Sequence, residues 1–223
     1  MVDAYPAVLS TPANLAREQQ LRDLMRELDI SEFHLNVVQL HNAWQPYHNW
    51  GHCVIVALNA VEAADLLHQS KAEKRLLILA AIYHDFNHTG DASQADVFNI
   101  ARAVKGMREW VKLKEKWVTQ SDLNEIAEMI YATETRHHGA ADAMKDRILV
   151  DADILATDVE DAEGWYAALS EETGQQIDAA STWRFIRVTE PRTLWGIHRS
   201  NDYLERLRQK LYPEGLHGGT HGS

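Results

Sequence analysis

The segment from Lys71 to His84 constrains this chain more than any other. Leu76, Leu77, Leu79, Ala80, Ala81 and Ile82 make it apolar nearly all round. A helix without a polar face belongs at the centre of a fold, with other elements packed about it. This one then runs directly into His84-Asp85. A helix that is core as far as Tyr83 and then presents an imidazole beside a carboxylate must end against something polar. A bare carboxylate buried there would be very costly without a partner, and a metal ion is the natural one.

Helical periodicity extends over most of the chain. Ser10-Thr11-Pro12 offers a cap with proline in the first turn of a helix reaching about Leu28, and a second spans Ser31 to about Ala43. Trp50 to His68 carries Val54, Leu58, Val61 and Leu66 or Leu67 on one buried stripe. Asp91–Trp110, Ser121–Glu134, Met144–Thr157, Glu160–Thr173 and Ser200–Leu211 complete the expected set, with Ser121 and Ser200 as expected N-caps. No segment alternates with period two between turn dipeptides, so strands are excluded beyond a short hairpin. The expectation is an all-α helical bundle with a metal site between its central helices. Residues 1–214 form one domain, with the site's core over about 46–158, and the Gly-rich 215–223 form a flexible tail. The stretch 175–199 has no clean period and reads as a lid, an oligomer contact or a wrap over the core.

Composition narrows the partners. At 223 residues with 45% hydrophobic content the chain can bury a large single core. A net charge of −11 argues against a sequence-independent grip on a nucleic-acid duplex. It leaves room for a small phosphate-bearing molecule, because a bound divalent ion reverses the local field. One cysteine, Cys53, excludes an intrachain disulfide framework and fits a reducing compartment. The first residues lack a basic then apolar leader, and no apolar run approaches the ~20 residues needed to cross a bilayer. A cytoplasmic protein with no membrane partner is therefore expected.

Three clusters carry the chemistry. Pro46-Tyr47-His48-Asn49-Trp50-Gly51-His52 would set His48 and His52 on one face if a helix began near Tyr47. Ile82-Tyr83-His84-Asp85-Phe86-Asn87-His88 follows the central helix, and Val150-Asp151-Ala152-Asp153 places two acids within an apolar helix. Singly, each has a plain explanation: a chance spacing, a helix end with a favourable imidazole, or a pair of solvated acids. In order, each beside an apolar helix, they offer two imidazoles and two carboxylates to one ion. Such mixed ligation suits Mn, Fe, Co, Ni, Zn or Mg, as one ion or two. Four protein ligands around a six-coordinate ion leave positions for water or substrate, and such an ion turns water into a nucleophile at neutral pH. His34, His41, His68 and His198 read as ordinary polar residues.

Taken together these residues resemble the HD superfamily of metal-dependent phosphohydrolases. Tyr47-His48-Asn49-Trp50-Gly51-His52 is similar to the Tyr-His-Asn-x-x-His signature of the class I cyclic nucleotide phosphodiesterases within it. Leu79 to Gly90 resembles their Ala-Ala-x-x-His-Asp-x-x-His-x-Gly segment. Met129 to Glu134, followed by His137-His138, resembles their Ala-Thr-Asp helix, and Ala152-Asp153 their last metal ligand. The likeness covers roughly Pro46 to Leu155. It implies that His52, His84, Asp85 and Asp153 hold a metal, with Asp85 bridging to a second ion where one is present. It also implies that His48 is the general acid, that Glu134 orients it, and that His88 lies behind the metal or serves a second one, as His137 or His138 would. From Asp85 to Asp153 is 68 positions, shorter than in the mammalian-type enzymes. Their Glu-Asn-His-His segment is not visible, and no glutamine stands in the context of their base-reading residue. Asp151 competes with Asp153. The Ala-Asp match favours Asp153, and two positions along a helix is too far round for both to face one ion.

The expected activity is hydrolysis of a phosphoester, nucleotide-like, by water activated at the metal. A di-iron oxygenase and a non-catalytic nucleotide-binding module are the alternatives. The expected partner is a small-molecule phosphoester or nucleotide, and a homo-oligomer is compatible with the sequence. The aromatics from Trp165 to Trp195 suit either a base-stacking pocket or ordinary core.

Overall fold

The structure is a computed structural model and describes residues 11–42, 44–91, 93–134, 143–156 and 162–211. Among these it holds ten α-helices and no strand. In chain order they are α1 (Pro12–Glu27), α2 (Phe33–His41), α3 (Trp50–Leu66), α4 (Lys71–Tyr83), α5 (Val97–Lys114), α6 (Gln120–Ala132), α7 (Met144–Ile154), α8 (Ala162–Thr173), α9 (Ala179–Val188) and α10 (Leu194–Leu211).

The apolar helix α4 is the hub. Ser70 caps α4 through a reciprocal capping box with Glu73, which satisfies backbone donors at its start. From Leu76 to Tyr83 every side chain is then buried. Helices α2, α3, α5, α6 and α7 all lie against α4, while α1, α7 and α10 flank α3. One continuous core runs from Leu21 in α1 to Leu207 in α10. Cys53 is wholly inside it, and burial pushes its thiol up to about 12.

Several boundaries differ from the sequence reading, each for a local reason. Helix α5 begins at Val97 rather than Asp91, and α6 is capped by Thr119, which forms a capping box with Asp122, rather than by Ser121. Ser200 is no cap: it lies buried inside α10, which starts at Leu194. Helix α9 fills the stretch without readable period, capped by Asp178 on Ser181. Among the described residues no helix is long and apolar enough to cross a membrane.

Candidate metal centre

Asn49 explains how the first cluster is placed. Its side-chain oxygen accepts the backbone N–H groups of Gly51 (2.9 Å) and His52 (3.2 Å), so it is the N-cap of α3. The helix therefore starts at Trp50, not near Tyr47. His52 sits in its first turn, and His48 stands in the loop before it instead of on a shared helical face. The two rings end 5.9 Å apart and nearly perpendicular.

Four side chains from three helix ends converge. His52 Nε2 lies 3.3 Å from His84 Nε2, 3.3 Å from Asp85 Oδ2 and 3.1 Å from Asp153 Oδ1. His84 Nε2 lies 3.0 Å from Asp85 Oδ2 and 3.4 Å from Asp153 Oδ1. Atoms each ~2.1 Å from one ion are about 3.0 Å apart at right angles and about 3.4 Å apart at tetrahedral angles. The observed spacing is one that a single ion could occupy.

Two further observations test the fit. The Nδ1–H of His84 donates to the Ala81 carbonyl at 2.7 Å, which leaves Nε2 as the ring nitrogen that faces the cluster. Asp85 Oδ2 is buried and accepts no hydrogen bond, although both histidines are close to it. His52, His84 and Asp153 could hold an ion, and the residues present fit one.

The electrostatics agree. Burial raises the Asp85 and Asp153 carboxyls, but His84 and the other imidazoles around them outweigh it, so both lie well below the usual carboxylate range. Burial lowers His84, yet Asp85 and Asp153 hold it well above its ordinary value. Two carboxylates and two imidazoles this close must balance their charge with protons or with a cation.

Asp151 is excluded from this set. It is buried and points away, accepting the backbone N–H groups of Arg192 (3.0 Å) and Thr193 (2.8 Å) and the Thr193 hydroxyl (2.7 Å). A Cβ at Gly196 would overlap its carboxylate, so glycine is required there for α10 to approach. Asp153, two positions on, is the acid that reaches His52 and His84.

Beside the centre stands a second pairing that sequence reasoning missed. Glu172 of α8 makes a short hydrogen bond with His48 Nδ1. Its other oxygen accepts the backbone N–H groups of Tyr47 (2.8 Å) and His48 (3.1 Å). Burial alone would lower His48, but Asp85, Glu172 and Asp153 raise it to about 9. Burial raises Glu172, and its bond to His48 outweighs that, drawing it down to about 2. The carboxylate on the His48 ring is thus Glu172 where Glu134 was expected. Glu134 is buried just beyond the end of α6.

His88 stacks on His48, ring centres 4.0 Å apart. The Gly90 N–H donates to its Nδ1 at 3.0 Å, and Asn99 Nδ2 lies 2.8 Å from its Nε2. Burial and the His48 charge lower it to about 4, so it is neutral. His48, Asp85 and His88 form a second group whose atoms could hold an ion. His137 and His138 lie outside the described residues. A cleft of about 160 Å³ opens over His48, His88 and Glu172. A larger hollow of about 650 Å³, against α1 and α3, contains none of these residues.

Asn42 latches the site together. Fully buried, it donates to the carbonyls of His48 (3.1 Å) and Asp85 (2.6 Å) and accepts the Asn87 N–H (2.9 Å). It thereby ties the loop before α3 to the turn after α4. Comparison with known proteins leaves the resemblance where the motifs put it: no family model matches the chain, and no curated protein matches it significantly.

Proposed function

We propose that this protein is a metal-dependent phosphohydrolase acting on a small phosphoester. The convergence of His52, His84, Asp85 and Asp153 at ligand spacing, with a charged imidazole beside it, carries the reading. Those four residues would hold a divalent ion, which would supply Lewis-acid charge for the phosphoryl oxygens and lower the pKa of water.

The chain's own groups account for the rest. Glu172 fixes His48 at Nδ1 and leaves Nε2 to face a substrate, with the ring protonated at neutral pH. His48 is then the acid that protonates the departing ester oxygen. Neutral His88 stacks beneath it and restricts its orientation. Asn42 keeps the acid and the Asp85 turn in register. Asp85 lies near the first group and belongs to the second, so it would be the carboxylate shared by two ions if two were bound.

The grouping of His48, Asp85 and His88 is also what favours the di-iron oxygenase as a second reading. The two differ in kind, since a His48 that ligates iron cannot serve as the acid. The test is a metal assay coupled to a panel of phosphoesters. Turnover should require a divalent ion, and His84→Ala should abolish both metal content and rate. His48→Ala should keep the first ion and lose about 10²–10⁴ in rate. Activity that survives complete chelation overturns the proposal, and iron-dependent oxygen consumption without phosphate release establishes the oxygenase.

A further inference from the structure

The hollow of about 650 Å³ shares no residue with the candidate centre. One face of α1 and one face of α3 form its long walls, and Arg199 of α10 stands beside them. Leu24, Ile55 and Leu58 give it an apolar stretch, with Ile55 buried and the two leucines half-buried. The polar groups around that stretch carry both signs of charge, and several have no partner.

Asn59 is the deepest of them. It is 6% exposed, and its Nδ2 donates to the carbonyls of Ala152 (3.4 Å) and Leu155 (3.2 Å) near the end of α7. Those carbonyls fix which way the amide is turned, because its oxygen could not sit against two other acceptors. Oδ1 therefore points the other way. It accepts no hydrogen bond, yet it is not sealed from solvent. On a side chain so buried, the hollow it lines is where that oxygen is reached.

Arg199 is half-buried, and among the described residues it has neither a hydrogen bond nor an ion pair. A guanidinium in that state is a ready partner for a carboxylate. Glu62 follows Asn59 by three positions, so the two stand on one face of α3, and its own carboxylate has no cation. Glu27 of α1 is likewise unpaired. Asp23 and Asp65, also at the hollow, are taken by Arg26 and Lys74.

This set calls for both charges on one molecule. An ammonium group satisfies Asn59 Oδ1 and Glu62 together, a carboxylate satisfies Arg199, and aliphatic groups between them cover Leu24, Ile55 and Leu58. A simple anion would leave the glutamates uncompensated, and a simple cation would meet Arg17 and Arg199. The volume lies within the ~300–1,000 Å³ of pockets that enclose a whole small ligand. A single amino acid leaves most of it empty, and an apolar dipeptide fills more of it.

We infer that this hollow is a second binding site, for a small zwitterion with an apolar body, of the size of an aliphatic dipeptide. Nothing in it depends on the phosphohydrolase reading, because no residue is shared.

The test is calorimetry on the full chain with leucyl-leucine, with and without added Mn²⁺. The dipeptide should bind equally in both conditions. N-acetyl-leucyl-leucine lacks the ammonium group and leucyl-leucine amide lacks the carboxylate, so each should bind at least about tenfold more weakly. Glycyl-glycine keeps both charges without the apolar body and should also be weaker. Glu62→Gln should narrow the gap between free and acetylated peptide, and Arg199→Met the gap between acid and amide. Arg199→Gln serves where Arg199→Met lowers the melting temperature. No binding of leucyl-leucine at about 10 mM, equal affinity for the blocked peptides, or preferences that both variants leave unmoved overturns the inference. So does binding that appears only with Mn²⁺, which places the peptide on the ion.

Discussion

Glu172 holds His48 twice across 124 residues of sequence, at the ring Nδ1 and at the backbone N–H, and also accepts the backbone N–H of Tyr47. One carboxylate thus sets the position of the loop, the orientation of the imidazole and its charge. A carboxylate that accepts from a ring nitrogen also decides which nitrogen is left to work, which is why such partners matter as much as the acid itself.

Glu172→Gln should keep the loop contacts, since an amide oxygen still accepts from backbone N–H, while removing the charge that holds the proton on His48. The expected outcome is a fall of about 10-fold or more in kcat/KM at pH 8. The alkaline limb of the pH–rate profile should also move to lower pH than in the wild type. A bound cation lowers that limb in both proteins alike, so the difference between them is the readout. An unchanged limb would remove Glu172 from the acid's control.

The same pair should leave a signature in stability. His48 is raised from 6.5 to about 9, so its contribution is complete below 6.5 and is lost as pH rises through 9. Glu172 is lowered from 4.5 to about 2, so its contribution is complete above 4.5 and is lost as pH falls toward 2. The stability gap between wild type and Glu172→Gln, measured by urea unfolding, should therefore be widest between pH 4.5 and 6.5 and narrow on either side.

Ion binding should release protons. Without a cation, Asp85 and Asp153 hold His84 well above its ordinary value, so the ring carries a proton that an ion must displace. Calorimetric titration with Zn²⁺ near pH 6.5, in buffers of different ionisation enthalpy, should show net proton release, and affinity should rise with pH. Asp85→Asn lowers the charge that retains that proton and should reduce both the affinity and the number of protons released.

What could be read from the sequence was whatever is local. The run from Leu76 to Ile82 declares a central helix by its own composition, and His84-Asp85 follows it in the chain. Asn49 was a legible sign as well: an Asn directly before a helical run is a cap, and treating it as one puts His48 outside the helix. Glu172 was not legible, because its partner lies in another part of the chain and no spacing connects them. Helix α9 hid for a different reason. Only Ile186 of it is buried, so it lacks the apolar stripe that periodicity detects. The start of α10 was hidden because Asp151, on another helix, accepts the backbone N–H groups of Arg192 and Thr193 just before it.

That last contact yields a prediction that separates the two acids of α7. Asp153→Asn weakens the ligand set at a position whose side chain is 23% exposed, so the protein should stay folded with the ion's affinity reduced by an order of magnitude or more (about 10–100-fold). Asp151→Asn should do the opposite. The amide loses the charge that gathers two backbone N–H groups and a hydroxyl, and it brings an N–H group toward donors already there. The expected cost is about 1–3 kcal/mol in unfolding free energy, with the ion still bound by the folded protein. Gly196→Ala should reproduce the Asp151→Asn phenotype, because its new methyl group pushes the same carboxylate away from α10. Elemental analysis alongside chemical unfolding of the three variants decides the matter. If Asp151→Asn empties the site in a protein that remains folded, the division of labour along α7 is wrong.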